Sequence, residues 1–319
     1  MLAKTSKLSF LLALLSIFLL QSCSQNPVRR RSTGYTKSKK SKYSKPKTNI
    51  FFSPIKKKVA LLTFFNESPF GKEDLAITAT EELRRELSRT SDYIVDTEAS
   101  VSFGRSKEIY AGGGVKLAQL TRKAKLSGIN LVVYGRITSA RVRQKTDEIG
   151  IVRKTKSYAE SMLEVVVFDV HANKQIFSEK FDGNISDSSF TFFMSERDAE
   201  LSYRTNLLRY SIKIAARRFI PRLVKLGNKL DWTGRVAKIL GSKIYINAGR
   251  KSGLSMGDIL RVLTEGSEIY DPESGALLGV SKGNVKGTLE IISFFGQDGA
   301  VAVLHSGGSV TEGDYVQLY

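Results

Sequence analysis

Gly253-Leu254-Ser255-Met256-Gly257 spells the G-x-S-x-G pattern that sets a nucleophilic serine on a sharp turn, and Asp271 and His305 follow in the order a hydrolase triad needs. That elbow works between a strand and a helix, because the helix N-terminus helps to stabilise the oxyanion. Here Asp258 to Leu263 reads as a strand, and the surrounding segment is too small for a hydrolase sheet. Ala248-Gly249-Arg250-Lys251-Ser252 has a Lys-Ser pair without the spacing of a phosphate loop, and Gly112-Gly113-Gly114 lacks the dinucleotide spacing and reads as a loop or hinge. Asp271 and Glu273 share a turn, and no second acidic pair can be placed beside them for glycoside hydrolysis. The single cysteine, Cys23, excludes a disulfide or thiolate cluster within the chain, and two histidines, His171 and His305, leave little for imidazole ligation. The expectation is no catalytic residue, no cofactor and no metal: not an enzyme.

The chemistry that the sequence does support is acylation of Cys23. Lys4 and Lys7 precede a 13-residue apolar run, Leu8 to Leu20, too short to span a bilayer comfortably and ordered like a secretory signal. The junction Leu20-Gln21-Ser22-Cys23 resembles a bacterial lipobox, with Gln21 its one atypical residue. The resemblance implies cleavage before Cys23, diacylglyceryl attachment and, with Ser24 rather than Asp next, sorting to the outer membrane, facing the periplasm. Three acyl chains hold to a bilayer far more firmly than one.

The net charge of +19 invites a nucleic-acid reading until it is located. Fourteen of the 50 Lys and Arg residues lie between Met1 and Asn66, where there is no Asp or Glu, so 36 basic residues face 31 acidic ones in the remainder. Ser24 to about Pro54 is polar, repetitive and basic, and reads as a disordered tether. Its 31 residues give a root-mean-square reach of about 30 Å. Export removes nucleic acid as a partner. Peptidoglycan carboxylates, lipid headgroups or plain solvation remain open for the tether.

The ordered part changes style midway. Val59 to Phe65 reads as a buried strand, Leu75, Ala79, Leu83 and Leu87 as one face of a helix, Tyr93 to Val95 as a strand, and Leu117 to Ala124 as a helix stopped by Gly128. Ile129 to Ile137 follows as a strand, and this β-α-β-α-β order implies a parallel core. Tyr158 to Val170 and Gln175 to Phe181 flank a hairpin turn, and Leu208, Ile212, Ala215, Phe219 and Leu223 mark a closing helix, with Pro221 as a kink or a sign of its last turns. From Trp232 onward short strands alternate with glycine-rich turns: Trp232–Ile239, Lys243–Asn247, Ile259–Leu263, Leu278–Ser281, Val285–Ile292, Ala300–Leu304 and Tyr315–Leu318. Leu254 to Leu260 is echoed by Val310 to Val316, each placing Gly-Asp just before a strand. The fold class is α/β, a mixed sheet with helices, followed by a small all-β barrel-like domain. The divisions are 1–22 signal, 23–56 lipidated Cys and tether, 57–228 α/β domain and 232–319 β domain.

Lys58 to Asn66 and Leu131-Val132-Val133-Tyr134-Gly135-Arg136-Ile137 resemble two strands of the CsgG superfamily, which includes curli secretion lipoproteins and periplasmic activators of penicillin-binding proteins. Ile246 to Asp258, Asp271 to Gly279 and Glu312-Gly313-Asp314 resemble the C-terminal β domain of flagellar assembly protein T. These resemblances imply a non-enzymatic docking or assembly factor of an envelope machine, flagellar or secretory, with envelope proteins as partners and self-association left open. The alternatives are a secretion channel and a peptidoglycan-synthase activator. A channel needs apolar membrane hairpins, and Ser139 to Ser157 is too basic for one. Asp182 to Ala199 offers only the group Phe190, Phe192, Phe193 and Met194. That aromatic group and the basic surface of Arg217, Arg218 and Arg222 are the candidate interaction residues.

Overall fold

Lys57–Leu61 forms β1, and its apolar residues divide between two cores, Val59 and Leu61 on one side and Ala60 on the other. Burial on both faces marks the middle of a sheet between helix layers. The computed structural model describes residues 55–149, 152–191 and 197–319. β1 pairs in parallel with β3 (Tyr93–Val95) and with β4 (Leu131–Ile149). β5 (Val152–Asp169) and β6 (Lys174–Thr191) continue antiparallel, in the order β3-β1-β4-β5-β6, and β2 (Phe65–Asn66) pairs with β4.

Helix α1 (Lys72–Arg89) and the long α4 (Arg197–Gly227) pack Leu75, Leu83, Ile212 and Phe219 onto the Val59 side. Helices α2 (Thr97–Ser102) and α3 (Ser106–Ser127) cover the Ala60 side with Ala99, Ile109, Leu120 and Ala124. Asp96 caps α2 by accepting from the Ala99 amide at 2.9 Å, and Gly128 ends α3 in the left-handed region.

Three expectations need correction. The first strand stops at Leu61 and resumes only as β2, with Thr63 bridging to Arg105 between them. The glycine triplet is not a connecting loop but the kink between two helical pieces of α3, broken at Gly113 (φ 52°, ψ −141°), with Ile109 before it and Leu120 after it packed into the same core. Strands β4, β5 and β6 run on well past Ile137, Tyr158 and Phe181, at 18 to 19 residues each. The described parts of Ser139 to Ser157, residues 139–149 and 152–157, therefore belong to one ladder in which Ala140, Val142 and Ala159 lie under α4. Pro221 lies within α4, in its last two turns.

A closed barrel follows: β7 (Gly234–Leu240), β8 (Lys243–Ile246), β9 (Ile259–Leu263), β12 (Val285–Phe295), β13 (Gly299–Gly307) and β14 (Tyr315–Leu318), in the order β12-β13-β8-β7-β14-β9. Trp232, Val236, Ile246, Leu260, Leu289 and Val316 fill it. The echoed turns are equivalent. Asp258 and Asp314 accept from the amides of Ser255 and Thr311, each at 2.7 Å, and Gly257 and Gly313 take φ of 86° and 94°. They launch β9 and β14, which pair with each other. Between β9 and β12 the chain makes a side hairpin, β10 (Glu268–Tyr270) and β11 (Leu277–Val280), whose first strand the sequence reading missed.

Barrel and α/β layer meet at β1. The Lys58 ammonium lies 3.1 Å from Asp298 and 2.5 Å from the Asn247 carbonyl, with both charged side chains nearly buried. Asp298 also accepts from the Ser252 hydroxyl at 2.5 Å and from the Gly249 and Ser252 amides at 2.9 Å. Burial would raise the Asp298 carboxyl, but the Ser252 hydroxyl and the Lys58 charge outweigh it and hold the group below the usual carboxylate value. Asn130 adds a polar stitch, donating to the Thr233 carbonyl at 2.7 Å and accepting from the Lys58 amide at 2.8 Å.

Asp298→Asn leaves a buried ammonium without its counter-charge and should cost about 2–5 kcal/mol, read as a lower urea midpoint. With a depressed folded pKa, the Asp298 contribution is full above the unfolded carboxylate pKa and is lost as pH falls through the folded one. The Asn variant should therefore lose less stability than the native chain across that acid window. Parallel acid profiles would contradict the assignment.

Candidate functional site

Sheet faces are buried by helices where side chains alternate apolar on both sides, and the long strands lose that alternation halfway. On the α3 side the last covered positions are Tyr134 and Val166. Tyr110 packs edge-on to Tyr134 at 5.8 Å, and the Arg136 guanidinium sits 4.7 Å over the Tyr110 ring while pairing with Glu67 and Glu164. Burial, with Glu164 nearby, pushes the Tyr110 hydroxyl well above the usual tyrosine range. Beyond this border the α4 side stays buried through Ala140, Ala159 and Ser161, and the opposite side is bare.

The bare side carries Arg141, Arg143, Lys145 and Lys156, all exposed, with Tyr158 half-buried among them. Glu160 is shared by Arg141 at 2.5 Å and Arg143 at 3.7 Å. Lys145 and Lys156 stand directly opposite each other across β4 and β5, with no carboxylate paired to either among the described residues. Like charges face to face on a ladder are unfavourable by themselves. The Lys156 ammonium lies 5.3 Å over the Tyr158 ring. This face can bind an anionic, partly apolar surface.

The candidate arginines on α4 lie elsewhere. Arg217 reaches the buried Glu82 at 2.6 Å, which Arg85 also pairs, and Arg218 holds Asp182 at 2.6 Å and its carbonyl at 2.9 Å. That pairing lowers the Asp182 carboxyl below its usual value, chiefly through the Arg218 hydrogen bond. Arg209 grips Asp74 with two bonds of 2.8 and 2.9 Å. Arginines of α4 thus clamp it to α1 and to the edge strand β6. Arg222 alone of the three is exposed without an ion-pair partner among the described residues. Phe190 is on β6, and Phe192, Phe193 and Cys23, the residue expected to carry the lipid, lie outside the described residues, as does the side chain of Phe190. Ser255 is followed by β9 and not by a helix, Asp271 caps its own turn through the Ser274 and Glu273 amides, and His305 lies 3.6 Å from Glu290.

A cleft of about 270 Å³ opens where the α/β layer meets the barrel, lined among others by Lys57, Asn130, Asp169, His171, Asp231 and Ser281. Burial pulls Lys57 below the ordinary lysine value, against the pull of Asp92, Asp231 and Asp169. Burial likewise lowers His171, whose ring packs edge-on to Tyr315 at 4.7 Å and whose Nδ1 has no hydrogen-bond partner among the described residues. These groups stitch the junction.

No family model matches the chain, and no curated protein matches it. Solved structures do. The hypothetical protein CT253 of Chlamydia trachomatis is 19% identical over 54% of this chain and 96% of that one, with a TM-score of 0.34. Lipoprotein GNA1162 of Neisseria meningitidis is 16% identical over 54% and 99%, with a TM-score of 0.22. The C-terminal domain of LpoB from Salmonella enterica is 14% identical over 41% and 84%, with a TM-score of 0.26. Bacterial lipoproteins are thus among the structures this chain is similar to. Among the described residues no helix is long and apolar enough to cross a membrane.

Arg217→Ala should destabilise the fold by about 1.5–3 kcal/mol in urea melts, because Glu82 loses a charged hydrogen bond inside the protein. Arg222→Ala should stay within about 0.5 kcal/mol of the native chain. The reverse ranking would show that the α4 clamp is misassigned.

Proposed function

We propose that the chain is a lipid-anchored envelope protein, tethered to the outer membrane through Cys23 and facing the periplasm, that works by docking and carries out no reaction of its own. The observation that carries this reading is the half-covered sheet. A long rigid arm is buried on one side by α4, and its other side presents four exposed cations and Tyr158. Natural surfaces that hold like charges opposite each other on a ladder call for an anionic partner to relieve the repulsion. The partner is an envelope machine of the flagellar or secretory kind, in keeping with the resemblance to the CsgG superfamily and to flagellar assembly protein T.

The secretion-channel alternative would need strands of about 9–11 residues with an apolar lipid-facing side. Strands β4 and β5 are long enough, yet one side lies under α4 and the other carries Arg141, Arg143, Lys145 and Lys156. That arrangement weighs against insertion.

Two measurements test the proposal. Cys23→Ala should abolish metabolic palmitate labelling and leave the protein soluble in the periplasm or as uncleaved precursor; unchanged labelling would remove the anchor. A photo-crosslinking residue in place of Arg143 should capture a protein in living cells, whereas one in place of Arg222 should not. Absence of any adduct at position 143 would remove the docking role.

A further inference from the structure

The barrel's side hairpin has the opposite character to the bare arm. From Glu268 to Ser281 there is no Lys or Arg, and Glu268, Asp271 and Glu273 are acidic. None of the three is in an ion pair with a described residue. Ile269, Tyr270 and Leu278 on the same hairpin are exposed at 49%, 53% and 62%, a local concentration of apolar surface. Acidic groups around an apolar strip complement cations around Tyr158 and the half-exposed Met162.

Within one chain the two surfaces cannot meet. The hairpin is fixed at the β5–β6 turn, where the Asn173 amide donates to Glu268 at 3.2 Å. The bare cations lie at the far end of the same strands: from Asp169 back to Tyr158, β5 covers roughly 35 Å at the rise of an extended strand. A three-residue strand and its turn do not bridge that distance.

We propose that the occupant of the bare arm is the acidic hairpin of a second copy of this chain. The inference rests on the docking reading of the arm and names its partner. Because donor and acceptor surfaces are different and lie at opposite ends of one rigid sheet, the contact is head-to-tail, and each copy keeps one free surface of each kind for the next. Assembly of this kind closes into a ring or continues as a filament, and exposed charges make it sensitive to salt.

The test uses the purified chain with Cys23→Ala, unlipidated, in sedimentation velocity. Expected are dimers and larger species at about 50 mM salt that dissociate by at least about tenfold in apparent affinity near 500 mM. An arm variant (Arg141→Glu, Arg143→Glu, Lys145→Glu) and a hairpin variant (Glu268→Lys, Asp271→Lys, Glu273→Lys) should each be monomeric. Mixed together they should assemble again in alternation, since the arm variant's native hairpin meets the hairpin variant's native arm and the two reversed surfaces complement each other as well. That complementation also shows that both variants are folded. Both sets of reversals in one chain should restore growth.

A native chain that is monomeric at low salt, or two variants that stay monomeric when mixed, would overturn the proposal. So would assembly that neither set of reversals disturbs, or arm-dependent binding of a monomer to phosphatidylglycerol vesicles. If the purified chain is monomeric while position 143 captures a different envelope protein in cells, self-association fails and the docking reading stands. If position 143 captures nothing, both fail.

Discussion

One nearly buried ion pair, Lys58 with Asp298, sets the geometry of everything beyond the first strand. Lys58 sits on β1 directly before Val59 and Ala60, which enter the two cores of the α/β layer, so its stem cannot shift without disturbing the sheet. Asp298 is fixed in the barrel by the Ser252 hydroxyl and two backbone amides. Neither charge is well hydrated, so each needs the other, and the cost of separating them is larger than that of a surface pair. Lys125 with Glu265 at 2.7 Å, the Asn130 bonds to Thr233 and the His171–Tyr315 contact then fix the rotation of the barrel about that point. The described residues accordingly form one compact unit.

Much of this architecture was legible in the residues. Alternation and turn chemistry gave β9 and β14 to the residue, and the Gly-Asp echo identified two equivalent turns because glycine supplies the left-handed φ and aspartate the amide acceptor. In the distal halves of β4 and β5 high charge density masks a period of two that is present: Ala140 and Val142 alternate with Arg141 and Arg143. That alternation is the signature of a ladder covered on one side only. The glycine triplet misled in extent only: glycine does break α3, at Gly113, while tertiary packing of Ile109 and Leu120 keeps the chain helical on either side of the break despite poor intrinsic propensity. β10 is three residues long, too short for any periodic signal.

The site was less legible than the fold, for a physical reason. Arg217 and Arg218 read as a basic helix surface because their carboxylate partners, Glu82 and Asp182, lie 135 and 36 residues away in sequence. Long-range pairing cannot be seen in local composition. The same blindness hid the bare arm, whose cations matter because, among the described residues, no helix covers them and few carboxylates reach them. The basic residues thus separate into three kinds: an N-terminal stretch with no acids, an internal clamp on α4 and an open face on the sheet.

The central claim is that barrel and sheet form one rigid body, so that the acidic hairpin and the bare arm are held far apart at a fixed separation. Spin labels on Arg143→Cys and Glu273→Cys, in a chain with Cys23→Ser and diluted with unlabelled protein, report that separation by double electron–electron resonance. The account predicts a single narrow distance on the order of 40 Å, which broadens when Lys58→Met is added. A broad distribution in the native background, or one that Lys58→Met leaves unchanged, would contradict it.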